Sequence, residues 1–229
     1  MYKRQVRLLA DMGAYLQLVT PGIPLLGAFL YHGVYDIPAY SFRCTSVFTN
    51  LTPTDAYRGA GRPEATFAIE RAIESLARVV GVGSDEIRRR NYIAPDKFPY
   101  SSAAGLVFDS GNYEPTLRRA LELVRYDERR AEQARLRAEG STTHLGIGMS
   151  TYVEMCGLAP SRVLASLRYS AGGWESATVR ILPTCKVQVV SGATPHGQGH
   201  ETSWSMIVAE RLGVSPDDVE VLHLSLIHI

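Results

Sequence analysis

Cysteine is scarce in this sequence. Three occur in 229 residues, Cys44, Cys156 and Cys185, and they stand far apart. No C-x-x-C pair exists, which excludes the sequence signatures of a zinc knuckle, an iron–sulfur cluster or a disulfide framework. The odd count fits a reducing compartment, so a cytoplasmic protein is expected. Long hydrophobic runs are also lacking. The longest apolar stretch, residues 22–31, is interrupted by Pro24 and is too short to span a bilayer. No signal-peptide apolar core follows the basic start Met1-Tyr2-Lys3-Arg4-Gln5. Membrane insertion is therefore not expected. Nor is there an excess of one charge: 24 Lys+Arg face 23 Asp+Glu, for a net charge of +1. Without a basic footprint, nucleic acid is not an expected partner. Internal repeats and low-complexity tracts are missing too.

What remains is the composition of a soluble globular protein, 45% hydrophobic and 21% charged. A chain of this length buries roughly 70–75% of its unfolded surface, enough for one large domain or two small ones. The first third consists of short apolar runs between turn residues. Residues 6–11, 15–20 and 41–50 read as strands, and residues 25–31 as a short buried helix. The loop Arg58-Gly59-Ala60-Gly61-Arg62-Pro63 then leads into a helix. Ala65, Ala68, Ile69, Ala72, Ile73, Leu76 and Val80 recur at three- and four-residue spacing, with Pro63 at the entry and Gly81 as the stop. Ser84 is expected to cap a short helix ending at Arg90, with Arg88-Arg89-Arg90 as an exposed C-terminal cation cluster. Residues 94–111 read as loop. Residues 114–126 read as a helix with Leu117, Ala120, Leu121 and Val124 on one face. Residues 127–140, mostly charge and alanine, read as a solvated helix and linker. Beyond them the pattern turns β, with strands expected at 145–154, 163–170, 176–182 and 186–191. Ala177, Val179 and Ile181 alternate as a half-buried strand would, and Pro183-Thr184-Cys185 reads as a hairpin loop. A second glycine-rich loop, Pro195-His196-Gly197-Gln198-Gly199-His200, opens another helix. Trp204, Ile207, Val208 and Leu212 form its expected apolar face, and Gly213 stops it. Ser215 with Asp218 resembles a capping arrangement before a strand beginning at Val219.

Both loops place glycines before a helix start. Backbone N–H groups can approach a ligand there, and the helix adds unpaired donors and partial positive charge. Such a site suits phosphate, pyrophosphate or a developing oxyanion, and Arg58 and Arg62 add anion-binding side chains to the first loop. Neither loop matches a P-loop or a dinucleotide fingerprint, and either one taken alone reads more simply as a turn shaped for packing. His196 and His200 have the i, i+4 spacing of helical zinc ligands. Gly197 and Gly199 between them oppose a helix, and no glutamate follows the first histidine, so no metal site is expected. His144 and His223 read as structural, and Trp174 and Trp204 as core residues.

Several motifs occur in one order: Thr49-Asn50 with Ala56-Tyr57-Arg58-Gly59-Ala60-Gly61-Arg62-Pro63-Glu64-Ala65, Arg88-Arg89-Arg90-Asn91 with Phe98-Pro99-Tyr100, and Gly197-Gln198-Gly199-His200-Glu201-Thr202. Together they resemble the large, molybdopterin-binding subunit of the xanthine dehydrogenase family, in the branch of aerobic carbon monoxide dehydrogenase large-chain homologues. The resemblance runs from about Val6 to His223. It implies an α+β fold and a molybdenum hydroxylase that oxidises a small-molecule substrate with water-derived oxygen. The implied cofactor is molybdenum–molybdopterin cytosine dinucleotide, held through its pterin rather than by protein metal ligands. The implied partners are an iron–sulfur subunit and an FAD subunit in a hetero-oligomer. Gly197, Gln198 and Gly199 carry over as cofactor-binding, with His200, Glu201 and Thr202 beside them. Arg58 carries over to the active-site wall, with Gly59 and Ala60 facing the cofactor. Carbon monoxide dehydrogenases have a copper-holding cysteine after that arginine; Gly59 stands there instead, so an aldehyde or N-heteroaromatic substrate is expected. Relatives commonly have glycine at Cys185, which is strained if that position needs positive φ.

The family's glycine–phenylalanine–glycine loop and its glycine-flanked glutamate, the general base, have no counterpart in these residues. The expected organisation is an internal fragment, inactive by itself: residues 6–126 end a first molybdopterin-binding domain, residues 127–143 link, and residues 144–223 begin a second. Residues 1–5 and 224–229 have no family counterpart. They read as translations of the two orientations of one sequencing-adapter element, and are expected to be adapter-derived tails. On the residues alone, a non-catalytic binding or assembly module and a phosphate- or nucleotide-binding protein stay open as alternatives.

Overall fold

The structure is a computed structural model describing residues 3–156 and 176–223. The chain divides into two compact units, Met1–Glu154 and Met155–Ile229. Both mix helices and strands, as the α+β expectation requires.

In the first unit, β1 (Lys3–Asp11) pairs in parallel with β2 (Ala39–Val47), in register from Lys3 opposite Ala39 to Asp11 opposite Val47. Lys3, Arg4 and Gln5 thus continue the ladder of the residues that follow them. The crossover between the strands carries α1 (Gly22–Gly27). The strand expected at residues 15–20 does not form. Side chains, not a neighbouring strand, take up its backbone: Thr20 Oγ1 accepts from Gln17 N at 2.9 Å, and Asp55 Oδ1 from Val19 N at 3.1 Å. Leu18 is 92% exposed there.

The expected amphipathic helix is α2 (Arg62–Val80). Its inward stripe is Ala65, Ile69, Ile73 and Ala77, one residue per turn, while Val80 faces solvent. Gly81 closes it in the left-handed conformation, donating its N–H to Ala77 O at 2.9 Å. Ile69, Ile73 and Ala77 pack with Val34, Tyr35, Ile37 and Ile87 as the core of the unit. Each buried isoleucine or valine stabilises by about 1.5–3 kcal/mol.

Next comes α3 (Ser84–Arg89), and here two expectations change. Gly83, not Ser84, is the N-cap; the Ser84 hydroxyl instead donates to Glu74 Oε2. The arginines do not form one exposed face. Arg88 is wholly buried, because one α3 face packs on α2, where two carboxylates await it. Its Nη2 lies 2.9 Å from Glu70 Oε2 and its Nη1 3.4 Å from Glu74 Oε2. Ser84 O and Met149 O take further guanidinium N–H groups at 2.7 and 3.0 Å. Burial pulls the Arg88 pKa down, but the Glu70 charge, with Tyr35 and Glu74, outweighs it and leaves the net shift upward. Glu70 also accepts from Tyr35 Oη at 2.5 Å and Thr151 N at 3.0 Å. Burial and this carboxylate hold the Tyr35 hydroxyl far above the ordinary phenol range.

Residues 94–111 hold two short strands, β3 (Tyr100–Ser101) and β4 (Val107–Phe108), paired antiparallel. Helices α4 (Glu114–Val124) and α5 (Tyr126–Ala138) meet at Arg125, which takes a left-handed φ of 52°. On the expected α4 face only Leu117 is buried, and α5 buries only Gln133. Residues 145–154 are not a strand. They lie along the first unit, fastened to Gln133, Arg88, Glu70 and Tyr92 through Leu145 O, Met149 O, Thr151 N and Thr151 Oγ1. Those anchors hold residues 145–154 to the first unit, which ends at Glu154.

Among the described residues, the second unit holds a three-stranded sheet. Strand β5 (Ala177–Ile181) pairs antiparallel with β6 (Val187–Ser191), which pairs in parallel with β7 (Val219–His223). Cys185 in the β5–β6 hairpin has φ 63°, the positive value that would strain it. Strand β5 is exposed on both faces, not half-buried, with Val179 50% and Ile181 66% accessible. Helix α6 (His200–Leu212) returns the chain from β6 to β7 and ends at Gly213. The face it buries is Ser205 and Ala209, with Val208 beside them; Ile207 and Leu212 of the expected face are exposed. Small residues win there because the helix lies close on Val187, Val189 and Val219. The strand expected at 163–170, Trp174 and residues 224–229 lie outside the described residues.

Candidate functional site

Each unit presents one of the glycine-rich loops. In the first, Gly59, Ala60 and Gly61 take consecutive positive φ values of 110°, 37° and 88°. The turn is closed by Ala60 N donating to Tyr57 O and Arg62 N to Gly59 O, at 2.9 and 3.1 Å. Gly61 has a packing reason as well as a conformational one: a Cβ there would lie 1.8 Å from Ile23 O of α1. Arg62 does not reach outward as an anion-binding side chain. Its Nε meets Gly59 O at 2.7 Å and Glu154 Oε1 at 2.7 Å. It braces the loop against the end of the first unit. The Arg58 side chain is exposed, and Gly59 and Ala60 are half-buried at the mouth of α2. An exposed guanidinium next to a rigid left-handed turn can bind a carboxylate or phosphate bidentately.

In the second unit, residues 192–199 connect β6 to α6. Gly197 and Gly199 have φ 87° and 68°, and Gly199 is the N-cap of α6. Among the described residues, nothing lies within 4 Å of the position a Cβ on Gly199 would take, so none of them crowds the helix start there. Gln198 turns its Oε1 back to accept from His196 N, which stiffens the loop from within. The His200 ring stacks on Trp204 with centroids 4.3 Å apart and planes 15° apart. Its Nδ1 is buried without a hydrogen-bond partner among the described residues. Glu201 and Thr202 are exposed in the first helical turn. Glycine-enabled backbone donors at the start of a 13-residue helix can bind an anion.

The sequence reading placed His223 apart from this loop, as a structural residue. The fold brings it in. Along β7, Val219, Val221 and His223 share the face covered by α6, so the strand delivers His223 to the start of that helix. Its ring centroid is 5.4 Å from Trp204 and 5.8 Å from His200. Nε2 lies 3.1 Å from Glu201 Oε1, and Nδ1 lies 3.0 Å from Ala193 O. The two-residue period of Val219, Val221 and His223 was the available signal. Trp204, expected in the core, is half-buried in this ring cluster. Among the described residues no group of three or more His, Cys, Asp or Glu side chains gathers to hold a metal ion. No helix among them is long and apolar enough to cross a membrane.

Comparison with known proteins gives two family matches of the same description, molybdopterin cofactor-binding domain, over residues 2–92 and 119–225. The chain is similar to the carbon monoxide dehydrogenase large chain of Hydrogenophaga pseudoflava, 36% identical over 95% of this chain and 27% of that protein. It is similar to the carbon monoxide dehydrogenase large chain of Afipia carboxidovorans, 38% identical over 93% of this chain and 27% of that protein. It superposes on quinoline 2-oxidoreductase of Pseudomonas putida 86 with a TM-score of 0.86 and 37% identity, over 97% of this chain and 28% of that one. The chain therefore spans about a quarter of the length of the relatives it matches.

Proposed function

We propose, on the premise that this chain belongs to the xanthine dehydrogenase family of molybdopterin-dependent oxidoreductases, that it forms part of the catalytic subunit of a molybdenum hydroxylase. The substrate class is an aldehyde or an N-heteroaromatic compound, oxidised with oxygen derived from water. The observation that carries this reading is the loop at Gly197, Gln198 and Gly199, whose two glycines take positive φ and whose Gly199 caps the start of α6 with no described residue within 4 Å of its Cβ position. A phosphorylated pterin fits those donors: the N–H groups of the helix start would donate to its phosphates, and His200 Nδ1 is a buried polar atom with no hydrogen-bond partner among the described residues. In this reading Gly197, Gln198 and Gly199 hold the cytosine dinucleotide form of the cofactor, flanked by His200, Glu201 and Thr202. When bound, the cofactor supplies the two-electron oxidation.

This chain's residues bind and orient. Backbone N–H groups at residues 197–199 neutralise phosphate charge, and the Gln198 carboxamide keeps the loop in shape. In the first unit, Arg58 is assigned to the active-site wall, where its permanent charge would stabilise negative charge developing in the transition state. Gly59 and Ala60 give the backbone a close approach to the cofactor. Gly59 carries no thiol, so the copper ligand of carbon monoxide dehydrogenases has no equivalent; this favours the aldehyde or heteroaromatic class. No residue of this chain is assigned the general base. Iron–sulfur and FAD subunits are the proposed electron-accepting partners in a hetero-oligomer.

The test uses the full-length subunit, expressed with its partners in a host that makes the cofactor. Gln198→Ala is expected to lower molybdenum and released cytidine nucleotide severalfold per subunit. Occupancy and turnover both equal to the parent protein's would remove Gln198 from the site. Absence of molybdenum from the parent protein would remove the hydroxylase reading itself.

A further inference from the structure

We propose that the first unit carries an oxyanion-binding cavity, apart from both glycine loops, whose ligand is a small, multiply charged phosphate compound of about pyrophosphate size. The cavity, about 410 Å³, lies between α2, the turn into α3, α5 and residues 147–149. Three arginines line it, Arg78 of α2 and Arg130 and Arg137 of α5, against one carboxylate, Glu74. That carboxylate is already engaged: its Oε2 accepts from the Ser84 hydroxyl and lies 3.4 Å from Arg88 Nη1. Arg78 reaches its other oxygen only at 4.0 Å.

The charges of α5 separate into two faces. On the outer face, arginines are matched with glutamates one turn on: Arg129 with Glu132 at 2.8 Å and Arg135 with Glu139 at 2.7 Å. Tyr126, Arg130, Gln133 and Arg137, at i, i+4, i+7 and i+11, share the face on the cavity. Among the described residues neither Arg130 nor Arg137 forms an ion pair. Gln133, the residue that α5 buries, holds this face in place. Its Nε2 donates to Leu145 O at 2.7 Å, and its Oε1 accepts from Arg130 Nη1 at 2.5 Å. The Arg130 guanidinium is thus oriented by a buried neutral amide and not by an acid, which leaves its charge and remaining N–H groups to a ligand. Burial raises the Tyr126 hydroxyl above the ordinary phenol range, against the pull of Arg130, so it stays a donor at neutral pH. Guanidinium groups bind phosphate oxygens bidentately, and three of them around one cavity suit a ligand with more than one negative charge.

Inorganic pyrophosphate is titrated into the 229-residue chain, with acetate as a monovalent control. Calorimetry follows the affinity, and NMR of backbone amides and arginine Nε–H groups follows the place. Saturable pyrophosphate binding is expected, with resonance shifts at residues 78 and 126–137, weak or no response to acetate, and affinity falling as salt rises. The double variant Arg130→Gln, Arg137→Gln is expected to weaken binding roughly tenfold or more. Arg130→Lys keeps the charge but loses the planar fork, and is expected to lie between the parent chain and Arg130→Gln. Arg135→Gln, on the outer face, is expected to bind as the parent chain does. All these side chains are exposed, and tyrosine near-ultraviolet dichroism checks that each variant is folded. No saturable binding by the parent chain, shifts confined to residues 197–203, or an unchanged affinity in the folded double variant would overturn the proposal. None of these readouts depends on the cofactor reading, which concerns the two glycine loops.

Discussion

Removing the Glu70 carboxylate tests the buried ion network in the first unit. Arg88 has no exposed side-chain surface, and Glu70 has 6%. Glu70→Ala takes away the acceptor 3.1 Å from Arg88 Nε and 2.9 Å from Nη2. It also orphans the Tyr35 hydroxyl and the Thr151 N–H. Glu74 stays in reach, but only at 3.4 Å, and it is already shared with Ser84. Leaving a buried charge short of its partner costs about 3–5 kcal/mol, a large part of a typical domain stability of about 5–15 kcal/mol. Glu70→Gln keeps an acceptor without the charge and is expected to cost less. Urea unfolding measures both. All the tyrosines but Tyr169 lie in the first unit and both tryptophans in the second. Tyrosine near-ultraviolet dichroism and tryptophan fluorescence therefore follow the units separately, which matters because a two-unit chain need not unfold in one step. With a slope of about 2 kcal/mol per molar urea, the tyrosine midpoint should fall by roughly 1.5–2.5 M for Glu70→Ala. The tryptophan midpoint should stay in place. A tyrosine midpoint moving by less than about 0.5 M would refute the argument that this network ties α2, α3 and residues 149–151 together.

Other outcomes follow from single sites. Gly61→Ala is expected to destabilise the first unit by more than about 1 kcal/mol, since φ is 88° and the added Cβ meets Ile23 O; urea titration should show the loss. Cys185→Gly is expected to stabilise the second unit by about 0.5–1 kcal/mol by relieving its positive φ, read as a higher tryptophan midpoint. Hydrogen bonding from Lys97 holds the Asp36 carboxyl below its ordinary value, despite partial burial, with Tyr100 adding a second bond. That stabilisation is complete above about pH 4, the unfolded range, and is lost as pH falls through the lower folded value. Asp36→Asn should flatten the acid limb of the stability curve. Burial, followed by the Asp36 hydrogen bond, pushes Tyr100 up to about 12, so the same variant should let Tyr100 ionise earlier in an ultraviolet titration.

The elements whose interactions are local were legible in the sequence. Helix α2 follows from its apolar spacing, Pro63 and Gly81, and the β5–β6 hairpin from two β-rich runs around a short turn. Both glycine loops preceding helices were visible for the same reason: positive φ and a helix start are written in neighbouring residues. The family motifs were legible because they are contiguous. Side chains whose partners lie far along the chain were not. Residues 15–20 and 145–154 carry strand-like composition, yet backbone groups in them are claimed by Asp55, Glu70 and Arg88, and composition does not record which partner arrives.

The sequence by itself thus determined that this protein mixes helices and strands, that two loops present backbone donors at helix starts, and which family motifs it carries. Those properties depend on residue type and on spacing within a few positions. Only the tertiary structure decided which charges are buried and which loops are braced. Arg88 looked like a surface cation because three arginines in a row ordinarily seek water, but α2 presents Glu70 and Glu74 to it from 18 and 14 residues away. Arg62 looked like an anion ligand until the chain returned Glu154 to it. His223 looked isolated until the parallel pairing of β6 and β7 carried it to Ala193 and Glu201. In each case the deciding interaction joins residues that only folding brings within hydrogen-bond or ion-pair distance.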